Sequence, residues 1–550
     1  MTIVGLHSGH DCSFCFLDDE GRPVVHAEYE RYIREKEPKG NSPGFFKERF
    51  PEVYNGVKDV VACFPMSNFD SHRDSFEEIK QIAENNGGGF HLIGHHQAHA
   101  ANAFFSSNFE KSIIITMDGG GFEEQDHNKF TAFTVWAGEG NKIEPLLIND
   151  SNNLLSGINV GGVWTRTTRY IFNLQSGWPR GHQAGTVMAM AALGDPDKYK
   201  QDFLDMFEFH NKVATFKPQG HVVGANVGTD PPHPYLYKWK VKAEQSEQET
   251  FDLAAGLQEA TLIYVKGLFD QILSQLPDYK NLCLSGGVFL NSVCTGKILE
   301  WYDERIDGVF VTPTPHDGGL TLGACQYLYH QVQDKPRVKW NDHFPVYMGE
   351  IYSHDDVKSA LDKKKDKIKT QEAKIEDIVN LLDDQKIVSV FSKGSESGRR
   401  ALGNRSILAD PRSPDMKDMI NEKVKHRQWF RPFAPSILAE DTKDWFEKDV
   451  ESPYMSFVVK FKEEVRNKVP AVVHFDGSAR LQTVTKNNNP FYYELLKKWK
   501  EKSGVPILLN TSFNDREPIC ETPDHAIDCF LRTNIDYLYF DDFNILVSKS

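Results

Sequence analysis

The sequence predicts an α/β protein with at least two domains. Its 550 residues exceed the size at which single cores stop growing, about 250–300 residues. Apolar strand patterns alternate with helical patterns through the first 330 residues. Several of these strands run into glycine-rich turns, and α/β folds bind ligands beyond the carboxyl ends of strands. Size, alternation and glycine turns together indicate this class.

The elements follow one another in a regular order. A strand, a turn and a strand are predicted for TIVGLHSGHDCSFCFLD, and another strand for DEGRPVVHAEYER. A helix is predicted for the alanine-rich IGHHQAHAANAFF, followed by the buried strand SIIITMDGGGFE. Helical spacing extends from Phe251 to Leu273. NLCLSGGVFLNS and GVFVTPTPHDGGLTLGACQYLYHQ each predict strand, glycine turn and helix, and no tandem repeat is evident.

The domain boundary is placed where the composition becomes polar and charged. We expect a first domain of residues 1–350, a linker region of 351–385 and a second domain of 386–550. The second domain begins with the strand KIVSVFS and is rich in arginine. Acidic residues interrupt the lysine run LDKKKDKIK, which favours a solvated helix face over a nucleic-acid contact.

Charge and composition exclude several classes of protein. The net charge of −15 disfavours bulk contact with nucleic acid or an anionic membrane. The chain shows no basic leader with an apolar run and no stretch of the roughly 20 apolar residues that span a membrane. The 8 cysteines do not form a disulfide framework, and we interpret Cys12 and Cys15 as core thiols. A cytoplasmic location is expected.

A metal site is predicted around two histidines. His95 and His99 are four residues apart, which places both imidazoles on one face of a helix, while His96 points elsewhere. Asp118 and Asp317 each follow an apolar strand and precede glycines, so both carboxylates are candidate ligands. A pair of surface histidines is the alternative for this spacing. The glycine turns shift the balance towards a metal.

Three glycine turns, HSGHDCS, MDGGG and LSGGVFLNS, are suited to hold a nucleotide. Their wide spacing in an α/β chain resembles the actin-like ATPase superfamily. The residues assigned to nucleotide binding are Gly119, Gly120, Gly121 and Gly318 on the phosphate side, and Gly286, Gly287 and Asn291 on the nucleoside side. His10 and Asp11 lie on the first turn, where acid–base catalysis and simple turn capping are equally compatible with the sequence.

The second half concentrates basic residues in an acidic protein. They occur in GSESGRRALGNRSILADPR, NEKVKHRQWFRPFAP and HFDGSARLQTV, and ILLNTSFNDREP adds an Asn-Thr-Ser turn. Guanidinium groups match phosphate and carboxylate oxygens, so a small anionic ligand is expected. Ion pairing with Asp410, Asp415 and Glu422 is the alternative, and it must account for some of these arginines.

The chain resembles the O-carbamoyltransferase family that includes nodulation-factor and antibiotic carbamoyltransferases. The resemblance covers nearly the whole length and rests on ten motifs in order. They are HDCSFCFLDDEGRPVVHAEYERYIREK, HHQAHAANAFF, MDGGG, HQAGTVMAMAALG, CLSGGVFLNS, PHDGGLTLGA, RRALGNRSILADPR, FRPFAP, DGSARLQTV and GVPILLNTSFN.

The resemblance implies a first domain like the threonylcarbamoyl-transferase branch of actin-like ATPases and an α+β, YrdC-like second domain. It implies that the second domain makes carbamoyl adenylate from carbamoyl phosphate and ATP, and that the first transfers the carbamoyl group to a hydroxyl of a small natural product. The implied metal ligands, usually of Fe(II), are His95, His99, Asp118 and Asp317, with His10 near the acceptor. Carbamoyl phosphate is expected to contact Arg400, Arg405, Lys425, Arg431, Arg480, Asn510 and Ser512.

Two motifs depart from the family pattern. Lys393 and Gly394 stand where the family usually has Gly-Arg, and Ser397 and Arg399 replace an aromatic residue and a proline. The phosphate contacts of this loop are therefore open. Thr186 stands where the family often has lysine, which weakens a nucleotide-phosphate role there.

The acceptor cannot be identified from the sequence. Residues 156–183 are expected to line its pocket, although Trp164, Tyr170 and Trp178 taken singly favour core positions. Two other functions fit the sequence less well. The acidic charge disfavours a tRNA threonylcarbamoyl transferase-like enzyme, and the candidate metal residues disfavour a non-catalytic actin-like ATP-binding module. The oligomeric state stays open, with a homodimer among the forms considered.

Overall fold

The computed structural model describes residues 3–63, 70–123, 130–151, 160–174, 183–204, 207–210, 213–216 and 234–550. The chain divides into two compact units. The first comprises Met1–Tyr29 and Lys36–Trp340, and the second comprises Glu30–Glu35 and Asn341–Ser550.

The described strands of the first unit form two five-stranded sheets and a separate two-stranded sheet. Their bounds are β1 Ile3–His7, β2 Ser13–Leu17, β3 Pro23–Glu28, β4 Asp59–Cys63, β5 Gly89–Ile93, β6 Lys111–Phe122, β7 Phe130–Glu139, β8 Lys142–Ser151, β9 Phe207–His210, β10 Val213–Phe216, β11 Asn281–Ser285 and β12 Gly308–Val311. The alternation of apolar strands with helices that the sequence predicts is present.

The two five-stranded sheets share one topology. Their orders are β3-β2-β1-β4-β5 and β8-β7-β6-β11-β12. In each, the first three strands in sequence pair antiparallel, and the last two add in parallel beside the first. This repeat of the strand order was not evident in the sequence, because strand order can persist after residue identities have diverged.

The helices of the first unit follow these strands. Their bounds are α2 Ser42–Arg49, α3 Pro51–Asn55, α4 Arg73–Asn85, α5 His95–Ser106, α6 Val160–Tyr170, α7 Ala184–Ala191, α8 Pro196–Leu204, α9 Pro234–Ala243, α10 Glu247–Gln275, α11 Ser292–Trp301 and α12 Leu320–Gln326. The short helix α1, Tyr29–Ile33, precedes them and leads into the segment grouped with the second unit.

Helices α5 and α12 occupy equivalent places, each after the fifth strand of its sheet, and they pack against each other. The contact is close, since a Cβ on Gly323 would lie 1.9 Å from the carbonyl oxygen of Ala98. Every residue of α5 except Gln97 is buried. The alanines therefore permit a tight helix crossing as well as favouring the helix itself.

The second unit is a nine-stranded mixed sheet with helices. Its strands run in the order β13-β21-β20-β14-β15-β19-β16-β18-β17. Their bounds are β13 Ile368–Glu372, β14 Val388–Phe391, β15 Arg405–Ala409, β16 Ala434–Leu438, β17 Phe457–Lys460, β18 Ser478–Val484, β19 Ile507–Ser512, β20 Tyr537–Phe540 and β21 Ile545–Lys549. The helices are α13 His354–Asp362, α14 Ile375–Asp383, α15 Asp415–Lys423, α16 Thr442–Trp445, α17 Glu463–Arg466, α18 Pro490–Ser503 and α19 Pro523–Arg532.

Residues 351–385, expected as a linker region, instead contain α13, β13 and α14 of the second unit. The charged composition is misleading because it belongs to exposed faces. The apolar residues Ile378, Val379 and Leu382 face inward and join the core of the sheet. The boundary between the compact units accordingly falls near residue 340.

Two other expectations concern cysteines and membranes. Cys12 and Cys15 are buried free thiols, as expected for core positions. Among the described residues, no helix combines the length and the apolar character that crossing a lipid bilayer requires.

Replacing Trp499 by alanine should destabilise the second unit by about 3–5 kcal/mol, because a fully buried large side chain is lost. Its indole also donates a 2.8 Å hydrogen bond to the carbonyl of Ile507. Trp429→Ala is the matched control, since that indole is 50% exposed, and should cost less than about 1 kcal/mol. Urea unfolding followed by circular dichroism measures both, and equal losses would contradict the core assignment.

Candidate metal centre and arginine cluster

Four side chains predicted as metal ligands converge in the first unit. Nε2 of His99 lies 3.0 Å from Oδ2 of Asp118 and 3.5 Å from Oδ1 of Asp317. Nε2 of His95 lies 3.4 Å and 3.6 Å from the same two oxygens. One ligand atom from each residue falls within 4.8 Å of all the others. The structure thus brings the four residues to one centre.

Helix α5 supplies both imidazoles from its first two turns. His95 is the first residue of the helix, and the His95 and His99 ring centroids are 4.8 Å apart. The carboxylate of Glu123 accepts the backbone N–H of His96 at 2.7 Å and so caps the helix start. His96 turns into the core, where its ring nitrogens lie 2.5 Å from Thr116 Oγ1 and 2.8 Å from the carbonyl oxygen of Thr131.

Asp118 lies within β6, where the sequence predicted a strand end. The pairing of β6 with β7 jumps between Met117 and Gly121, so residues 118–120 form a bulge. Bulges redirect side chains and are frequent beside active sites. Here the backbone N–H of Gly119 donates to Oδ1 of Asp118 at 2.5 Å, while Oδ2 faces the imidazoles.

Asp317 lies in a short 3-10 turn, Asp317–Gly319, between β12 and α12. Its Oδ1 faces His95 and His99, and its Oδ2 lies 3.1 Å from Nε2 of His10. The carboxyl group is buried, whereas the His10 side chain is 58% exposed. Asp317 therefore stands between the metal candidate and a histidine that solvent or substrate can reach.

Hydrogen bonds outside the four residues orient His99. Its Nδ1 lies 3.2 Å from Ser285 Oγ, and that hydroxyl donates to the carbonyl of Pro315 at 3.5 Å. Because the Ser285 hydroxyl donates its hydrogen to Pro315, its oxygen accepts a hydrogen bond from Nδ1–H of His99. The lone pair on Nε2 of His99 is then available to a metal ion. Such outer partners commonly set the tautomer of metal-ligating histidines.

The electrostatics of the four residues suit a cation. Burial raises the pKa of Asp118, but His95 and His99 outweigh it and hold the pKa well below its usual range. Burial lowers the pKa of His99, but Asp118 and Asp317 outweigh it and raise the pKa to about 9. Metal binding at this site would therefore displace a proton from His99.

The distances also fit a metal. Nitrogen and oxygen ligands at roughly 2.1 Å from a divalent ion lie about 3.0–3.5 Å from one another. The separations of 3.0, 3.4 and 3.5 Å fall in this range, and the fourth, 3.6 Å, lies just above it. Two imidazoles and two carboxylates form a donor set for a transition metal such as iron, manganese or zinc.

The first turn places His10 and Asp11 beside this centre. His10 Nδ1 lies 3.0 Å from Asp11 Oδ2, and the carbonyl oxygen of His10 lies 3.0 Å from Nε2 of His7. Asp11 has a φ of +59°, an uncommon backbone conformation for a residue with a side chain. The loop is therefore held in a defined shape that directs His10 to Asp317, and a catalytic role stays a prediction.

Several glycines predicted for nucleotide binding are required by packing. A Cβ on Gly121 would lie 2.1 Å from the His95 ring, and one on Gly286 would lie 2.0 Å from the carbonyl oxygen of Met117. A Cβ on Gly287 would approach Oδ1 of Asp118 to 3.2 Å. Gly119 has open space, with nothing within 4 Å of a Cβ. Gly120 has a φ of +121°, which suits a glycine in the bulge.

Asn291, predicted on the nucleoside side, caps helix α11. Its Oδ1 accepts the N–H of Cys294 at 3.2 Å, and its Nδ2 donates to Gln258 Oε1 at 3.0 Å. A contact of Asn291 with a nucleotide stays a prediction.

The second unit contains an arginine cluster, defined here as Arg399, Arg400, Arg427, Arg431 and Arg480. Burial and the charges of its neighbours lower the pKa of Arg400 well below its usual range, and burial together with Arg431 lowers that of Arg480 to about 10. Guanidinium groups that lose hydration and repel one another are stabilised by an anion. The cluster is therefore a candidate anion site.

Arg427 was absent from the predicted ligand residues, although the sequence places it beside them. Its Nε donates to Asn421 Oδ1 at 2.7 Å, and burial together with Arg431 and Arg480 lowers its pKa well below the usual range. The signal for it was the RQWFR stretch, in which Arg427 and Arg431 are four residues apart.

The remaining predicted residues of the second unit make internal contacts. The Arg405 guanidinium donates to the carbonyls of Ser392, Lys393 and Asn404 and lies over the Phe391 ring. These contacts support the backbone, and the geometry does not favour a ligand role for Arg405. Lys425 Nζ donates to the carbonyl oxygens of Ser512 and Asn514 at 2.5 and 2.9 Å.

Lys425 thereby holds the end of β19, so the Asn-Thr-Ser turn that the sequence predicted is strand instead. Ser512 is the last residue of this strand, and its hydroxyl donates to Asn514 Oδ1 at 2.7 Å. Asn510 Nδ2 donates to Ala401, Ser436 and Gln482, while its buried Oδ1 has no partner among the described residues. Contacts of these residues with carbamoyl phosphate stay predictions.

Glu396 organises the loop that carries Arg399 and Arg400. Its Oε1 accepts the backbone N–H groups of Leu402, Asn404 and Arg405 at 2.5, 3.1 and 3.2 Å. The carboxylate is fully buried, so these bonds fix the backbone that follows the two arginines. Arg412, by contrast, pairs with Asp410 and Asp383, as the ion-pair alternative expected for some arginines.

A second group of possible metal ligands, Glu517, Cys520 and Cys529, lies in the second unit. The charge of these three residues is less suited to a cation than that of His95, His99, Asp118 and Asp317. Glu517 pairs with Arg34 at 3.3 Å and also with Arg532, so its carboxylate is already neutralised.

The expected acceptor segment is described only for residues 160–174 and 183. Residues 156–159 and 175–182, including Trp178, lie outside the described residues. Trp164 is a core residue, since it is buried and its indole donates to Thr261 Oγ1 at 3.0 Å.

These features define an α/β protein with a four-residue metal candidate in one unit and a candidate anion site in the other. A family model for the carbamoyltransferase N-terminus matches residues 78–326, and one for the carbamoyltransferase C-terminus matches residues 379–548. Nodulation protein NolO of Bradyrhizobium diazoefficiens is 34% identical over 466 residues, covering 82% of this chain and 78% of that protein. The chain belongs to the carbamoyltransferase family, and the predicted family resemblance is confirmed.

Other similar proteins extend the comparison. Nodulation protein NolNO of Sinorhizobium fredii is 34% identical, and the match covers 82% of this chain and 63% of that protein. An uncharacterized protein of Methanocaldococcus jannaschii is 28% identical, with 100% and 99% of the two chains covered. The crystal structure of full-length HypF in its phosphate- and nucleotide-bound form has a TM-score of 0.36 and 14% identity, covering 60% of this chain and 55% of that chain, a likeness too low to bear on function.

Gly121→Ala should abolish or strongly weaken metal binding, because the new Cβ would overlap the His95 ring. We expect affinity for Co²⁺ to fall by about 10–100-fold or more, as when the support of a metal ligand is lost. Gly119→Ala is the matched control in the same bulge, where a Cβ meets nothing within 4 Å, and should bind normally. Titration under anaerobic conditions measures both, and equal affinities would contradict the assignment.

Proposed function

We propose that the protein is an ATP-dependent O-carbamoyltransferase that forms carbamoyl adenylate from carbamoyl phosphate and transfers the carbamoyl group to a hydroxyl of a small natural product. The observation that carries the proposal is the convergence of His95, His99, Asp118 and Asp317 in a chain that belongs to the carbamoyltransferase family. The acidic charge of −15 supports a small-molecule acceptor over a nucleic acid.

In this proposal the two units have separate tasks. The first is of the actin-like ATPase type, which the repeated strand order supports, and it holds a divalent metal, for which the family resemblance implies Fe(II). The second is YrdC-like and forms the adenylate. The enzyme is expected to be cytoplasmic, and the homodimer remains one of the oligomeric forms to be tested.

The arginine cluster serves the first step. Arg400, Arg431 and Arg480 bind the phosphate oxygens of carbamoyl phosphate and ATP, which relieves their mutual repulsion. Water first hydrolyses carbamoyl phosphate to carbamate and inorganic phosphate. Carbamate oxygen then attacks the α-phosphorus of ATP, forming carbamoyl adenylate as the bond to pyrophosphate breaks.

The metal centre serves the transfer step. A bound divalent cation supplies Lewis acidity that stabilises negative charge on oxygen. His10 is placed to handle the proton of the acceptor hydroxyl, since its ring is exposed. Asp11 and Asp317 flank its two nitrogens and accept from both, so His10 takes the hydroxyl proton after one of its own protons has moved to Asp11. The acceptor oxygen bonds to the carbamoyl carbon, and AMP leaves.

Arg431→Ala should reduce carbamoyl phosphate-dependent pyrophosphate release from ATP by on the order of 100-fold, as loss of a charged donor to a reacting phosphate does. Arg412→Ala is the matched control, because that guanidinium is occupied by Asp410 and Asp383, and it should retain the activity. Unchanged pyrophosphate release in Arg431→Ala would remove this residue from the adenylation site.

His99→Ala should separate the two steps. It removes an imidazole from the first unit, so we expect carbamoyl phosphate-dependent pyrophosphate release to continue while transfer and metal occupancy are lost. Transfer is measured by mass spectrometry of carbamoyl adducts after screening hydroxyl compounds with the wild type. Full metal occupancy in the variant would contradict the ligand assignment.

A further inference from the structure

We propose that three buried side chains of the β2–β3 hairpin, Ser13, His26 and Glu28, are positioning residues that fix Asp317 for the metal centre. The inference rests on the proposed function, because it takes Asp317 as a metal ligand. Asp317 needs support from elsewhere, since it begins a three-residue turn and is not held by strand pairing.

The residue after Asp317 is held through its backbone. The carbonyl oxygen of Gly318 accepts the Ser13 hydroxyl at 3.0 Å and lies 2.7 Å from Nε2 of His26. All of these groups are buried. Both acceptor positions of the carbonyl are used, so the orientation of this peptide is fixed.

The residue before Asp317 is held through its side chain. Nε2 of His316 lies 3.2 Å from Oε1 of Glu28, and each side chain is 5% exposed. A hydrogen bond between an imidazole and a carboxylate in such a buried place is strong and directional. Asp317 is therefore constrained on both sides by residues of one hairpin.

The hairpin can do this because its side chains share a face. Ser13 on β2 is directly opposite Glu28 on β3 in the strand register. His26 is two residues before Glu28 on the same strand, and residues two apart point to the same side of a sheet. The strand register thus places Ser13, His26 and Glu28 on one face of the hairpin.

Gly318 gives this arrangement its space. A Cβ on Gly318 would lie 2.8 Å from Nε2 of His316 and 3.0 Å from Oε1 of Glu28. A side chain there would separate the two partners. This requirement explains the glycine without a nucleotide contact.

A buried polar network can also serve stability alone, and the two roles differ in what they predict. A purely structural role predicts that a lost hydrogen bond lowers the unfolding temperature and leaves metal affinity alone. A positioning role predicts loss of metal affinity beyond that caused by a stability-matched change elsewhere. Removing such partners of a metal ligand typically costs about 10–100-fold in affinity.

The test compares two serines that make the same kind of bond. Ser13 donates to the Gly318 carbonyl at 3.0 Å, and Ser112 donates to the Asn281 carbonyl at 3.0 Å, away from the metal candidate. The full-length variants Ser13→Ala and Ser112→Ala are titrated anaerobically with Co²⁺, and their thermal unfolding is recorded. Glu28→Ala and Glu28→Gln are measured alongside.

We expect similar unfolding temperatures for the two serine variants, with Co²⁺ affinity weakened about 10–100-fold only in Ser13→Ala. Glu28→Ala should also lose affinity, and Glu28→Gln should recover most of it because an amide oxygen still accepts from His316. Equal affinity in Ser13→Ala, Glu28→Ala and wild type would overturn the inference. Absence of Co²⁺ binding in the wild type would instead overturn the proposed metal centre, and this inference with it.

Discussion

The structure of the first unit depends on keeping two carboxylates, Asp118 and Asp317, against the same pair of imidazoles. Carboxylates that approach a common point repel each other, and burial makes the repulsion stronger. The fold tolerates the repulsion between the two carboxylates because His95 and His99 lie between them on helix α5. A divalent cation is the species that would balance the charges most completely.

Around that constraint, glycines and short polar side chains acquire definite tasks. Gly121 makes room for an imidazole, and Gly323 lets two helices cross closely. Ser285 orients one ring through its hydroxyl. The second unit solves a different problem, since its clustered guanidinium groups are arranged to receive negative charge. One chain therefore carries a candidate site for a cation and another for an anion.

Much of this was accessible from the sequence, because it depends on local spacing. The four-residue interval between His95 and His99 predicted their shared helix face, and glycines following apolar strands pointed to Asp118 and Asp317. The contacts of the β2–β3 hairpin with Gly318 could not be predicted from the sequence, since His26 and Gly318 are 292 residues apart in the chain. The charged stretch 351–385 misled the domain assignment because solvent-facing residues outnumber the few that enter the core.

The repeated strand order is the arrangement that duplication of an ancestral half would produce. β1 and β6 hold the same place in their sheets, and His10 and Asp11 follow the end of β1 while Asp118 lies in a bulge near the end of β6. Likewise, the helix that provides the imidazoles corresponds to α12, which follows Asp317. Duplication and fusion of an ancestral half would have given two equal copies. Divergence of two such copies would leave His10 and Asp11 beside one strand and Asp118 beside the other, an asymmetry that a symmetric pair of identical chains cannot achieve.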